Sequence, residues 1–486
     1  MDIKDRIIQD LIKRVEALTR RVSQLEAFEH ENKQMRKEIR HLRAENQQLK
    51  VENAELKQRL NKNSSNSSMP PSSEGYKKQP AFPKKAKGIK GGQRGHKGNT
   101  LHKIDKPDEV VTCMPGQCTC GHVFSEEEMI YTEKRQVFDL PVPRLKVTEY
   151  RIHKAKCPIC GSINFAKVPE GVNAPVQYGP RAKAEAVLMN VHYKLPFKKI
   201  QLLFNDLFGY PINESTVYAA SKDCYEKLQR AEETIKSSVA TSKVVHADET
   251  GIRVKGKLHW LHTATTQLYT YLFVHENRGA KALESEKSIL NSINTWIVHD
   301  CWGSYFKFTQ MHHAICGAHI LRELEGILQT GKSKWAGTFK TFLLNLYRTP
   351  FEERVKRRPL IEARYDRILK IGNLSEPLPM KTVGKRGRYK RTKGRNLLER
   401  LIKEKESMLA FAFNKDVPFT NNLAERDIRP AKVKLKISNC FRTFTGAEIY
   451  ARIEGFISTA RKQNKNVLSE LFNTFEGSNF LTENSC

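Results

Sequence analysis

The sequence predicts a multidomain α+β protein in which helical and strand-rich regions are segregated along the chain. Three observations carry this expectation. Residues 4 to 60 repeat apolar side chains at alternating spacings of three and four. Cysteine pairs between residues 113 and 160 sit among short extended segments. From Val244 a series of β-rich runs gives way to a long helical tract. A chain of 486 residues exceeds one ordinary domain, and 39% hydrophobic residues suffice to bury cores in its longer segments.

Lys and Arg outnumber Asp and Glu by 84 to 53, a formal net charge of +31 with pI near 9.7. Self-repulsion of that size is relieved by a polyanion, which makes nucleic acid the first candidate partner. A membrane-spanning role is excluded, because no run of eighteen apolar residues exists. Met1 to Asp10 is charged and lacks the apolar centre of a signal peptide, so a cytosolic protein is expected. Ten cysteines in a reducing compartment point to metal ligands or buried thiols rather than disulfides.

Residues 1–60 read as a leucine zipper. Ile8, Leu11, Val15, Leu18, Val22 and Leu25 keep the heptad rhythm. Phe28 arrives one residue early, and Asn32, Met35, Ile39, Leu42, Asn46, Leu49, Asn53, Leu56 and Leu60 resume it. A skip of that kind is a stammer, which overwinds a coiled coil locally. Asn32, Asn46 and Asn53 on the seam fix register and strand number at a cost in stability. The expectation is a homodimer or higher oligomer; the alternative is a long amphipathic helix folded back on its own chain. Residues 61–106 form a flexible basic linker. Asn63 to Ser73 is rich in Ser, Asn and Pro, and Lys84 to Lys106 carries eight basic residues among glycines, suited to a phosphate backbone.

Residues 107–170 are expected to be a zinc-binding ribbon. Cys157-Pro158-Ile159-Cys160-Gly161 is a good zinc knuckle, because Pro and Gly allow the tight turn that sets two thiolates on one tetrahedral ion. Cys118-x-Cys120 is a tighter pair, and Cys113 or His122 can substitute in it. Arg135–Leu140 and Leu145–His153, rich in Val, Thr, Tyr and Ile, are the expected strands between the knuckles. Residues 176–235 read as helical. Phe197–Phe208, a break at Gly209-Tyr210-Pro211, and a second helix capped by Asn213 or Ser215 fit helix-turn-helix geometry; plain helical packing fits as well.

From Val244 the pattern changes. Val244–Ala247 is expected to be a short buried strand that ends on the carboxylate of Asp248, with Gly251 stopping the run. Leu258–Thr265 and Leu268–Val274 continue a meander, Ala280–Asn291 is a helix, and Thr295–His299 is a strand ending on Asp300. Ala314–Cys316 is a fifth strand, leading into a helix at His319–Gln329. Strands one to three, a helix, strand four, then helix and strand is the order of a ribonuclease-H-like domain. Helices are expected over Phe339–Tyr347, Phe351–Lys370 and Leu397–Ala412, with a basic loop at Lys381–Arg395. Asn421 or Asn422 can then cap a helix that carries Glu425, Arg426 and Arg429, with a break or kink at Pro430. Two strand-end aspartates and one helical glutamate supply the oxygen ligands that two Mg²⁺ or Mn²⁺ ions need to activate an attacking oxygen and stabilise a leaving oxygen at a phosphodiester. The basic residues around them, Arg322, Arg426, Arg429, Lys432, Lys434 and Lys436, are candidates for phosphate contacts.

The chain resembles the insertion-sequence-66 family of transposases, members of the DDE superfamily. The resemblance rests on His246-Ala247-Asp248-Glu249-Thr250-Gly251, His299-Asp300-x3-Tyr305, Cys316-x2-His319-x2-Arg322 and Asn421-Asn422-x-Ala424-Glu425-Arg426-x-Ile428-Arg429-Pro430. Gly446-Ala447-Glu448 and Ser458-Thr459-Ala460-Arg461-Lys462 also fit, as does the order of zipper, Ser/Pro linker and cysteine segment. It implies that Asp248, Asp300 and Glu425 are the metal-binding triad, with Cys316 and His319 beside it. It implies a ribonuclease-H-like domain over residues 240–318 and 419–475, interrupted by a helical insertion at 319–418. Glu249 adjoins a ligand, but its side chain should point away. The chain departs from the family at Cys301-Trp302, where many relatives have Gly-Tyr, and at Arg322-Glu323, where many have two basic residues; neither change removes a carboxylate. The implied activity is metal-dependent cleavage and strand transfer at terminal inverted repeats, with target DNA and accessory transposition proteins as further partners. The function of another class is a non-catalytic, zinc-containing DNA regulator or an inactive transposase remnant.

Overall fold

The computed structural model describes residues 3–60, 101–128, 133–330, 333–376 and 391–482. Most of the expected linker, residues 61–100, and residues 381–390 of the basic loop lie outside them. The chain divides into two compact units, Met1–Pro80 with Asp223–Cys486, and Ala81–Lys222. Helix α1, Ile3–Leu60, is one uninterrupted helix of 58 residues that passes through Phe28 without a break. Part of α1 lies against the helix Gly317–Thr330 of the same unit. Its seam stays in solvent, with Leu18 62% and Phe28 61% exposed.

In the unit Ala81–Lys222, β1 (Lys154–Lys156) pairs antiparallel with β2 (Ile163–Phe165). The hairpin brackets Cys157 and Cys160, and its turn closes through the Cys157 N–H on the Ser162 carbonyl at 2.8 Å, with Gly161 at φ 71°. A left-handed residue is needed there, and glycine takes that conformation without strain. Cys118 lies in a second small turn closed by the Gln117–Val123 bridge. The expected strands Arg135–Leu140 and Leu145–His153 do not form. Val137 is 93% and Leu140 90% exposed, so β-branched composition finds neither a partner strand nor a core to pack against. Helices α2 (Pro180–Val191), α3 (Phe197–Phe208) and α4 (Glu214–Lys227) follow. Gly209 ends α3 in the left-handed conformation, and Asn213 Oδ1 accepts the Ser215 N–H at 3.0 Å, as the turn sequence predicts. Ile200, Phe204, Ile212 and Val217 bury themselves against Ala186 and Met189.

The unit Asp223–Cys486 is built on a five-stranded sheet. After α5 (Gln229–Ala240) come β3 (Val244–Val254), β4 (Lys257–Thr265), β5 (Thr270–His275), α6 (Ala280–Leu283), β6 (Trp296–His299) and β7 (His312–Ile315). The order across the sheet is β5-β4-β3-β6-β7. β4 and β5 run antiparallel as a meander from β3, whereas β6 and β7 lie parallel to β3 on its other side.

Two expectations fail here. β3 does not end at Asp248 and is not stopped by Gly251. It runs to Val254, because β4 pairs with it as far as Val254–Lys257 across the left-handed turn Lys255-Gly256, at φ 49° and 77°. Gly251 is accepted in mid-strand because Leu258 packs over it; a Cβ there would stand 3.0 Å from Leu258 Cδ1. The helix expected over Ala280–Asn291 is only the four residues of α6, with a 3₁₀ turn at Leu290–Ser292. Ser285 Oγ donates to the Ala282 carbonyl and Ser288 Oγ accepts the Leu290 N–H, local bonds that compete with helix propagation.

The helical tract comprises α7 (Gly317–Thr330), α8 (Lys334–Arg348), α9 (Phe351–Lys356), α10 (Arg358–Ser375), α11 (Lys393–Lys403) and α12 (Lys405–Phe413). The helix expected over Phe351–Lys370 is broken ahead of Pro359, which cannot continue a preceding helix. Trp335, Phe339, Tyr365, Leu398 and Met408 form its core, continuous with Val298 and Ala314 of the sheet. Helices α13 (Asn422–Ser438), α14 (Phe444–Lys462) and α15 (Val467–Glu476) complete the unit. α13 runs through Pro430 without ending. It packs on β3 and β4, while α14 packs on β5 so closely that a Cβ on Gly455 would lie 3.0 Å from the Thr270 carbonyl oxygen. No helix among the described residues is long and apolar enough to cross a membrane.

Candidate active site

The last parallel pair of β3 and β6 is His246 with Val298. Two residues further on each strand come Asp248 and Asp300, so continuing the register sets the two carboxylates level. Beyond His246, β3 keeps its partner β4, with Asp248 opposite Thr263, but has lost β6. The gap opens the sheet where Asp248 stands, so the acid lies in mid-strand yet reaches solvent. Asp248 Oδ1 accepts the Glu249 N–H at 2.9 Å, and Asp300 Oδ1 accepts the Trp302 N–H at 3.0 Å. Cys301, at φ 69°, makes the turn after Asp300.

Both carboxyls are held above the usual carboxylate range. Burial is the main cause at Asp248, which rises far, and the charges of Glu249, Asp300 and Glu425 push the same way. Burial also raises Asp300, against the pull of the Trp302 N–H and Arg278. Among the described residues no basic side chain lies within ion-pair distance of Asp248. Acids with too little countercharge and a partial opening to water fit divalent cations held by oxygen.

Glu249 projects from the opposite face of β3, as strand alternation requires. Arg278 donates to its Oε1 at 2.7 and 2.8 Å, and the Tyr305 hydroxyl donates to its Oε2 at 2.7 Å. Arg278 also lies 4.0 Å from Asp300, with its guanidinium over the rings of Trp302 at 4.3 Å and Trp260 at 5.1 Å. Glu249 is thus occupied, and it orients an arginine beside Asp300.

Glu425 sits in the first turn of α13, its side chain 18% exposed. Arg322 donates to its Oε1 at 3.2 Å, and Arg429 lies 3.7 Å from its Oε2. His319 Nδ1 is 3.8 Å from Oε1. Burial, aided by Arg322, lowers His319 to about 3, so the ring is neutral. Burial pushes the Cys316 thiol up to about 11. Among the described residues, Cys316, His319 and Glu425 are the only group of three or more such side chains whose ligand atoms lie within 4.8 Å of one another. The three acids do not close on one point.

Asn421 does not cap α13 through its side chain. It is fully buried, its Oδ1 accepts a hydrogen bond from His246 Nδ1 at 2.9 Å, and its Nδ2 donates to the Ala247 carbonyl at 2.7 Å. Its own N–H donates to Cys316 Sγ at 3.1 Å, and the Cys316 N–H donates to the His299 carbonyl. Asn421 and Cys316 together therefore tie the segments immediately before Asp248, Asp300 and Glu425. Below it, Lys462 on α14 meets Asp427 on α13 at 2.5 Å, with Thr265 and Thr270 also donating to Asp427.

The other sequence candidates separate. Arg426 and Lys436 are exposed on α13. Lys432 is not; it donates to the Gly251 carbonyl at 2.6 Å and anchors α13 on β3. Lys434 is half-buried on the same helix. Arg391, Lys393, Arg400 and Lys403 line a groove of about 550 Å³, with Glu323 paired to Arg400. Cys118 lies against Cys120, and Cys160 against Cys157. Arg278 carries no sequence signal, since a lone arginine in a loop has no pattern. Asn421 was visible only as a cap residue, because nothing local shows what its side chain meets.

Comparison with known proteins agrees with this geometry. A model described as "Transposase IS66 family" matches residues 175–449, more than half of the chain, and spans all three acids. One described as "zinc-finger binding domain of transposase IS66" matches residues 115–161. That stretch includes Cys118, Cys120, His122, Cys157 and Cys160 and leaves out Cys113, and it indicates structural zinc. A family of unknown function matches residues 8–102. No curated protein matches the chain significantly. Matching the first of these models over residues 175–449, the chain belongs to the IS66 family of transposases.

Proposed function

We propose that the chain binds the terminal inverted repeats of a mobile element and cuts and joins DNA with Asp248, Asp300 and Glu425 as its metal-binding triad. The observation that carries this is the level placement of Asp248 and Asp300 beside an opened sheet, with Glu425 brought in by α13. The order β5-β4-β3-β6-β7, with three antiparallel and two parallel strands, supports a ribonuclease-H-like domain, and the tract α7–α12 is its helical insertion.

Cleavage is attack of water on a phosphodiester at the element end, freeing a 3′-hydroxyl. Joining is attack of that hydroxyl on a target phosphodiester. Two Mg²⁺ or Mn²⁺ ions, when bound, supply Lewis-acid activation and charge stabilisation. Asp248 and Asp300 offer their oxygens from fixed strands, and Asn421 fixes the helix start that brings Glu425 to them. Arg278 is aimed beside Asp300 by Glu249 and two tryptophans, where it can meet a phosphate. Arg322 and Arg429 hold Glu425, and with Glu425 engaged as a metal ligand they would be free to reach DNA oxygens together with Arg426. The groove of Arg391, Lys393, Arg400 and Lys403 continues the basic path. The zinc segment and the helices α2–α4 supply DNA contacts outside the site, and the exposed seam of α1 pairs with a second copy.

Asp248→Ala tests the triad. The variant should bind terminal-repeat DNA as the parent does, in a gel-shift assay, and show no Mg²⁺- or Mn²⁺-dependent nicking. Nicking at the parent rate would remove Asp248 from the site.

A further inference from the structure

Cys316 and His319 are not needed for a triad of carboxylates, yet they are built as ligands are. Cys316 stands between β7 and α7, fixed by its N–H on the His299 carbonyl at 2.9 Å. Its Sγ faces the start of α7, accepts the Asn421 N–H at 3.1 Å, and is approached by the amides of Ala318 and His319. Burial outweighs these donors and keeps the free thiol protonated, so a cation binds the sulfur by displacing its proton to solvent. His319 is three residues on, so it shares the same helix face. Its Nδ1 is buried without a hydrogen-bond partner, which in a folded protein calls for a reason. That nitrogen lies 3.8 Å from Glu425 Oε1, and sulfur, nitrogen and oxygen all fall within 4.8 Å of one another.

The two elements that present them are locked together. The Gly317 N–H donates to the Phe419 carbonyl at 2.8 Å, and a Cβ on Gly317 would come within 2.1 Å of the Phe419 ring. A small contraction of side chains, not a backbone rearrangement, would bring the three atoms onto one ion. One thiolate, one imidazole and one carboxylate form a set for a borderline-soft cation with a tetrahedral preference, not for Mg²⁺, which wants oxygen alone.

We propose that Cys316, His319 and Glu425 form a site for a thiophilic divalent cation of the zinc class, separate from the Asp248–Asp300 position and sharing Glu425 with it. Arg322 donates to the same Glu425 oxygen, so a cation must displace a guanidinium to bind. The site is therefore weaker than a cluster of four thiolates and fills after the cysteine segment of residues 115–161. Where the proposed triad is right, a consequence follows: zinc above that first load withdraws Glu425 and raises the Mg²⁺ concentration needed for cleavage.

Cobalt(II) is the probe, because its bond to sulfur gives a near-ultraviolet charge-transfer band independent of any reaction. The full chain, loaded with zinc to saturate the cysteine segment, is titrated with Co²⁺. One further equivalent should bind and give the band. Cys316→Ser should abolish the band. His319→Gln should weaken Co²⁺ binding by more than the roughly 10–100-fold that loss of an outer-shell partner costs. Asp248→Ala should keep the band even though it is the variant that tests cleavage, so failure of the triad leaves this site standing. No band in the zinc-loaded parent, or an unchanged band in Cys316→Ser, would overturn the proposal. So would loss of the band in Asp248→Ala, since the positions would then not be separate.

Discussion

His262 lies on β4 at 2% exposure, with its Nε2 3.3 Å from the Asn277 carbonyl and its ring stacked on Phe273 at 4.8 Å. Burial lowers its pKa from 6.5 to about 4. The unfolded chain then binds a proton that the folded chain refuses, at every pH between those two values. Stability from this residue is fully present above about pH 6.5 and is lost as the pH falls toward the folded value, on the order of 3 kcal/mol in all. Replacing His262 with Gln keeps a donor for Asn277 and removes the titration. The variant's melting temperature should fall less steeply than the parent's between about pH 6.5 and 4; parallel curves would show that the ring is not held neutral. At the same scale, Asp248 and Glu249 show how two adjacent acids acquire opposite fates. Strand alternation gives one to an open notch and the other to Arg278 and Tyr305.

The elements that carry the acids are joined by buried polar contacts as well as by the apolar face of α13, Leu423, Ala424, Ile428 and Ala431. α13 is held on β3 by Lys432 and Asn421, and on α14 and the β4–β5 hairpin by Asp427. The Lys462–Asp427 side chains are only 13% and 10% exposed, and Lys462 also donates to the Thr266 carbonyl. Removing one member of such a pair leaves the other charge buried. Lys462→Met should therefore cost about 3–5 kcal/mol in urea unfolding, and adding Asp427→Asn should recover most of it. A Lys462→Met variant within about 1 kcal/mol of the parent would mean that the pair is solvated, as exposed ion pairs are.

For the whole molecule, the largest unexplained surface is the seam of α1. A 58-residue helix spans about 87 Å. Its leucines, valines and isoleucines repeat on one stripe, and in the single chain Leu11, Val15, Leu25 and Leu42 are all about half exposed or more. Isolated helices draw little stability from propensity, so a stripe of this length implies a partner stripe. Under the proposed pairing a second copy would supply one, with Asn32, Asn46 and Asn53 setting its register. Deleting Met1–Leu60 should lower the mass measured by light scattering to that of a smaller assembly; an unchanged mass would place the contacts elsewhere.

The sequence by itself determined what depends on neighbours along the chain. The heptads of α1, the Gly209 stop and Asn213 cap between α3 and α4, and the order of the strands from Val244 are local periodicities and turn chemistries. The family motifs around Asp248, Asp300 and Glu425 were legible for the same reason. The sequence misplaced the end of β3, because Gly251 looks like a stop until Leu258 is seen packed over it. It expected strands at Arg135–Leu140 and Leu145–His153, because propensity cannot tell whether a partner exists. Only the tertiary structure decided that Asp248 is opened to solvent by the missing β6 rather than by the end of its own strand. It alone set Arg278 beside Asp300, turned Asn421 from cap to tie, and brought Cys316 and His319 to Glu425. Those contacts join residues far apart in the chain, and their geometry is fixed by sheet register and helix packing, which no local pattern records.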